Sequence, residues 1–220
     1  SFEITDIPLI EYAASKGKPV FLATGIARLE DIKEALTACR RAGNRKVAIL
    51  KCTSSYPAPY EDANLAVMAD LASRFGVITG LSDHTPGIAV PIAAAALGAA
   101  VIEKHFILDR SLGGPDAAFS LEPAEFKAMT DGIRAAEKAV GRVTYSLSPK
   151  ALKNRKFSRS LFVVEDIRKG EALTGKNIRS IRPGHGMPPK HFHEVLGKKA
   201  AKDLKRGSPL KNNMIAGRKK

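Results

Sequence analysis

The chain has 220 residues, 44% hydrophobic and 26% charged, with a formal net charge of +14. This is enough apolar material to bury a core and enough length for one large or two small domains, which excludes general disorder. Two cysteines, Cys39 and Cys52, are too few for a disulfide framework, so a reducing cytoplasm is the expected compartment.

Ser1–Ile4 reads as part of a strand, and since the first residue is not methionine, further chain is expected upstream. A helical pattern follows over Pro8–Lys16, then a strand over Pro19–Thr24 and a helix over Leu29–Ala42 that Gly43 stops. The next units place strands at Lys46–Thr53 and Val77–Ser82 and helices at Ala63–Phe75, ended by Gly76, and at Gly87–Leu97. Gly87 to Ile102 is the longest apolar run. It is too short for a bilayer and carries Pro91 and Gly98, so it reads as a buried helix leading into a strand at Ala100–Phe106. A helix over Pro123–Val140 closes the series.

Five successive β–α units imply a parallel sheet covered by helices, either doubly wound or a (β/α)8 barrel. No glycine-rich phosphate loop follows the first strand, which weakens a nucleotide-binding reading. Polar residues instead gather at the C-terminal ends of strands: Thr24, then Thr53-Ser54-Ser55-Tyr56, then Ser82-Asp83-His84-Thr85, then Glu103 and His105. A barrel carries its chemistry there; five strands of eight leave three, about 100 residues, expected before Ser1.

The partial barrel is assigned to residues 1–145 and a polar, basic linker to Ser146–Lys156. A second domain covers 157–216 and a basic tail 217–220. Residues 155–220 hold 18 Lys and Arg against 5 Asp and Glu, net +13, whereas residues 1–154 are nearly balanced. Such charge suits nucleic acid, the alternative of another class. The three aromatics Phe157, Phe162 and Phe192 give bases no stacking platform, so nucleic acid is not expected as a partner; nor is a membrane, because the longest apolar run is too short to span one. Asp166-Ile167-Arg168-Lys169-Gly170-x-x-Leu173, continuing to Ile178, is echoed at constant offset by Asp203-Leu204-Lys205-Arg206-Gly207-x-x-Leu210, continuing to Ile215. The repeat predicts a small, mostly β module with approximate two-fold symmetry.

Lys51-Cys-Thr-Ser-Ser-Tyr-Pro57, Gly80-Leu-Ser-Asp-His-Thr85, Glu103-Lys-His-Phe106, Gly114-Pro-Asp116 and Ile181-Arg-Pro-Gly184 occur in the order found in sialic acid synthases. The chain resembles that family over nearly its whole length, with a second domain similar to the antifreeze-like (SAF) domain. The first string and the Gly-Gly-Pro-Asp loop look most like the pseudaminic acid synthases. The resemblance implies the C-terminal units of a (β/α)8 barrel and a small β-clip domain. It also implies condensation of phosphoenolpyruvate with an N-acetylated amino sugar, 2,4-diacetamido-2,4,6-trideoxy-altrose, in a homodimer; N-acetylneuraminate or legionaminate synthesis is the alternative on the same mechanism. A metal-dependent aldolase on the same barrel would share the histidines without explaining the second domain.

A lone histidine is more often a hydrogen-bonded core residue. Two of them, His84 and His105, at adjacent strand ends among Ser, Asp and Glu, point instead to a metal. The resemblance makes them ligands of Mn2+ or Mg2+, with waters and sugar filling the remaining positions. Glu103 lies two residues before His105 on the same strand face; it is either the partner of an upstream cation or the general base, and the catalytic role is taken. Ser1, Ser54 and Ser82 offer hydroxyls to the phosphoenolpyruvate anion, although each also fits a turn. The resemblance places Tyr56 and Asp116 near the sugar. Family members often carry Ser-Thr where this chain has Ala23-Thr24, and the family's phosphate-binding lysines would precede Ser1, so this segment alone is expected to be inactive. Arg182, on a turn stiffened by Pro183 and narrowed by Gly184 and Gly186, matches an arginine that reaches from one chain's small domain into the partner's barrel mouth.

Overall fold

The structure, a computed structural model, describes residues 1–218, so Lys219 and Lys220 of the expected basic tail lie outside the described residues. The chain divides into two compact units, Ser1–Arg142 and Val143–Lys220.

The first unit alternates helix and strand: α1 (Ile7–Ser15), β1 (Val20–Ala23), α2 (Leu29–Arg41), β2 (Val47–Cys52), α3 (Val67–Phe75), β3 (Ile78–Asp83), α4 (Ala89–Ala96), β4 (Ile102–Lys104) and α5 (Pro123–Val140). Local chemistry sets the ends. Asp6 accepts a hydrogen bond from the Leu9 amide at 3.1 Å and Pro8 sits in the first turn of α1. Asp31 accepts from the Arg28 amide at 2.8 Å at the start of α2, and Gly76, at φ 62°, takes the left-handed turn that ends α3. In α2, Ile32, Ala35, Leu36 and Cys39 are buried at helical spacing, the stripe by which it packs on the sheet.

The four strands form one parallel sheet in the order β1-β2-β3-β4. This is the half-barrel of a mixed α/β fold. Side-chain alternation assigns the faces. Leu22, Ile49 and Leu81 enter cores shared with helical residues such as Ile32, Leu36, Met68 and Val90, whereas Phe21 and Ile78, of opposite parity, are 54% and 59% exposed.

One expected strand is corrected. Ser1–Ile4 is not part of the sheet, which has four strands rather than five; Phe2–Thr5 is a 3-10 helix with Ile4 buried and Phe2 exposed. The alternating Phe-Glu-Ile-Thr imitates a strand, but the Asp6 cap and Pro8 open α1 immediately afterwards and the chain turns into it.

In the second unit the linker expected at Ser146–Lys156 contains a short helix, α6 (Pro149–Asn154), where the Ala151 amide donates to Ser148 Oγ at 3.2 Å. Beyond it β5 (Ser160–Val163) pairs antiparallel with β6 (Ile178–Ile181), and α7 (Phe192–Val195) follows. Leu161, Val163, Ile167, Leu173, Ile178, Val195, Leu204, Leu210 and Ile215 form the core.

The sequence repeat appears as a pseudo-two-fold of hydrogen bonds. Ile167 and Leu204, equivalent residues, exchange amide–carbonyl bonds of 2.9 and 2.8 Å. The Gly170 amide donates to the Ala200 carbonyl at 2.9 Å, and its counterpart Gly207 donates to Val163, the counterpart of Ala200, at 2.8 Å. Asp203 accepts from the Lys169 amide at 2.7 Å, while Asp166 accepts from the Arg206 amide at 2.8 Å. Gly170 and Gly207, at φ 85° and 86°, make the same left-handed turn.

Candidate active site

The register of the parallel sheet aligns Cys52 with Ser82 and Ser82 with Glu103, a row across three strands. Within it Ser82 Oγ donates to Glu103 Oε1 at 2.6 Å. His84 and His105 stand two residues further along the chain, just past the ends of β3 and β4, and on the same side by the same alternation. Their ring centroids are 5.1 Å apart, edge to face. His84 Nδ1 lies 2.8 Å from the Thr53 carbonyl. A carbonyl only accepts, so Nδ1 carries a proton, and it is Nε2 of the neutral ring that would offer its lone pair to a metal. His105 Nδ1 is 3.6 Å from Asp116 Oδ2. Tyr56 lies 4.3 Å from His84 and 6.0 Å from His105, centroid to centroid, and buried Phe119 lies 4.9 Å from His105.

Burial pulls the His105 pKa down, and the neighbouring His84 and Lys104 add to this against the opposing pull of Asp116 and Glu103. The shift favours the neutral ring, the form that binds a cation. Burial acts the same way on His84, but the Cys52 thiol, the Thr53 carbonyl and Asp83 outweigh it and its pKa rises. Burial would raise the Cys52 thiol; the contact with His84, at 3.9 Å, and the nearby Ser82 and Ser1 hydroxyls bring it below its ordinary value.

Beside this group, Ser1 Oγ and Ser54 Oγ lie 2.7 Å apart. Gly25 allows the approach: a Cβ there would stand 2.3 Å from both Ser1 Cβ and Ser54 Oγ, and its φ of 31° already disfavours a side chain. Thr24 Oγ1 accepts from the Cys52 amide at 3.0 Å, so this hydroxyl is engaged with the backbone.

Among the residues expected at the site, Ser82, His84, Glu103 and His105 stand together with Tyr56 and Asp116, and Ser1 pairs with Ser54 close by. Arg182 belongs to the second unit. It is exposed, on a turn held by buried Ser160, whose Oγ donates to the Pro183 carbonyl at 2.6 Å and accepts from the Gly186 amide at 2.9 Å. Sequence reasoning passed over Cys52 and Phe119. Cys52 sits inside a quoted string and was legible by its parity with Ser54; Phe119 lies in a loop without periodicity and carries no such signal.

Among the described residues no group of three or more His, Cys, Asp and Glu suits a metal ion. The two imidazoles, one with its Nδ1 proton already donated, fit a cation that takes two protein ligands and completes its shell with water and substrate oxygen. No helix among the described residues is long and apolar enough to cross a membrane.

A pseudaminic acid synthase from Helicobacter pylori is 50% identical over 211 residues, which is 96% of this chain and 62% of that protein. One from Campylobacter jejuni is 46% identical over the same shares. The chain thus spans 62% of the length of these relatives. The crystal structure of spore coat polysaccharide biosynthesis protein spsE from Bacillus subtilis matches with a TM-score of 0.60 at 35% identity, covering all of this chain and 67% of that one. The NeuB family matches residues 1–145 and the SAF domain matches residues 158–216. By that match, which takes in every strand of the parallel sheet, the chain belongs to the NeuB family and carries an SAF domain after the half-barrel in sequence.

Proposed function

We propose that this chain forms the C-terminal part of a phosphoenolpyruvate-dependent, carbon–carbon bond-forming transferase. It makes pseudaminic acid from phosphoenolpyruvate and 2,4-diacetamido-2,4,6-trideoxy-altrose. The observation that carries this reading is the pair of imidazoles beside the Ser82–Glu103 hydrogen bond at neighbouring strand ends. Identity of 46–50% to pseudaminic acid synthases, against 42% to a legionaminic acid synthase from Campylobacter jejuni, favours the finer assignment.

In the reaction C3 of phosphoenolpyruvate bonds to the sugar aldehyde carbon, water adds at C2, and the C2–O bond to phosphate breaks. A divalent cation, Mn2+ or Mg2+, held by His84 and His105 would polarise the aldehyde oxygen. Glu103, its Oε1 on Ser82, takes the proton of the water that attacks C2 through its free oxygen. Ser1 and Ser54, now bonded to each other, turn their hydroxyls to the phosphoenolpyruvate anion. Ser82 has one proton, so its bond to Glu103 competes with any bond it gives the anion. Tyr56 and Asp116 flank the imidazoles and face the sugar. Arg182 supplies a guanidinium to the sugar amide from the partner chain of a homodimer, which leaves the barrel's own side chains to handle the reacting atoms.

The test is phosphate release by the whole protein with phosphoenolpyruvate and each candidate sugar. Release with the trideoxy-altrose and little with N-acetylmannosamine supports the reading. The reverse preference moves it to N-acetylneuraminate synthesis, and release with neither sugar sinks it.

A further inference from the structure

Directly behind the two imidazoles lies an ion pair that the proposed chemistry does not use. Lys104 Nζ stands 2.6 Å from Asp83 Oδ2, with the two side chains 0% and 2% exposed. The pair is set in further hydrogen bonds. Asp83 Oδ1 accepts from the Thr85 amide and Oδ2 from the Thr85 hydroxyl, both at 3.1 Å, and Lys104 also donates to the Thr85 carbonyl. Asp83 and Lys104 face each other in the ladder, and each immediately precedes a histidine, so they occupy the opposite side of the sheet from the imidazoles.

Stability alone does not account for this arrangement. Two charges taken out of water carry a large desolvation cost, and apolar replacements of such pairs are often neutral or better. Position does account for it. β4 is three residues long and ends at Lys104, as β3 ends at Asp83, so the pairing of the two strands stops just before both histidines. The ion pair is the tie at that last rung. Its bonds to Thr85 also fix the direction in which the chain leaves β3 through His84.

We propose that Asp83 and Lys104 are positioning residues that set the spacing and aim of His84 and His105 for a divalent cation. This rests on the reading that the imidazoles hold one. The whole protein is titrated with Mn2+ by calorimetry, beside a thermal melt, as wild type and as His84→Ala, Asp83→Asn/Lys104→Met and Thr85→Val. The double variant removes both charges while the Asn amide retains partners at Thr85. Expected is an unchanged melting temperature with a dissociation constant raised about tenfold or more, the scale seen when groups supporting metal ligands are removed. Thr85→Val, which takes one hydrogen bond from Asp83, should weaken binding by a smaller factor. A folded double variant that binds Mn2+ as wild type does overturns the proposal. If the double variant does not melt cooperatively, an unchanged constant in Thr85→Val overturns it instead. Equal binding by wild type and His84→Ala sinks the cation reading itself, an outcome distinguishable from failure of the positioning role alone.

Discussion

The two units solve the problem of a core in opposite ways. The half-barrel buries one face of its sheet under helices and gathers polar side chains at the strand ends, with Phe21 and Ile78 exposed on the other face. The SAF domain closes on itself, its two copies exchanging backbone bonds around Ile167 and Leu204. The contrast separates the tasks. Polar side chains gather where the parallel strands stop, whereas the self-closed module holds the turn that carries exposed Arg182 through buried Ser160.

The largest effect should fall on the barrel alone. His84→Ala or His105→Ala should lower turnover about a thousandfold or more, several kcal/mol of transition-state stabilisation, while the SAF domain melts as before. Phosphate release and metal analysis measure the first and calorimetry the second; normal turnover in both variants would remove the cation site.

Next come changes confined to the SAF domain. Leu173 and Leu210 are equivalent in the repeat and fully buried, so Leu173→Ala and Leu210→Ala should each cost about 2–5 kcal/mol, in similar amounts. Denaturant titration of the two variants would break the symmetry argument if the costs differ widely.

Arg182→Ala tests whether the two regions share the proposed task. It should raise the sugar KM about 10- to 100-fold, the worth of a charge-assisted hydrogen bond, and leave the phosphoenolpyruvate KM in place. Mixed dimers of Arg182→Ala and His84→Ala chains should regain activity, because one of their two sites combines both intact residues. Verified heterodimers without recovery would put Arg182 in its own chain's site or in none.

The smallest effect is on acid stability. The Arg206 amide, and then Lys205, hold the Asp166 carboxyl below its ordinary range, and His191 and Arg218 do the same for Glu194. A lowered folded-state pKa adds stability above the unfolded value, about 4, and that stability disappears as pH falls through the lowered one. The SAF domain should therefore keep its melting temperature from neutral pH to about 4 and lose a little below it. Asp166→Asn should flatten that loss.

Much of this was legible in the residues. The helix stripes, the stops at Gly43 and Gly76 and the strand-end clusters follow from periodicity and turn chemistry, and they carried His84, His105, Glu103 and Ser82. What escaped depends on register. That Cys52, Ser82 and Glu103 form one row, or that Asp83 meets Lys104, follows only from how far each strand is offset along its neighbour. Ser1 and Ser54 meet because Gly25 leaves room between them, a matter of tertiary approach. The false strand at Ser1–Ile4 shows the converse, a period-2 pattern overridden by a helix start close behind it.

The exchanged aspartates of the SAF domain reach beyond its architecture. Asp166 completes the turn of the second copy at Arg206, and Asp203 completes that of the first at Lys169. Damage in one copy is therefore displaced into the other: loss of Asp166 loosens the loop around Gly207 rather than its own. Each copy thus carries a part of the other's turn, so a substitution at either carboxylate is read in the opposite segment, and one copy moved alone into another setting would leave its Lys169 or Arg206 amide without the acceptor that serves it.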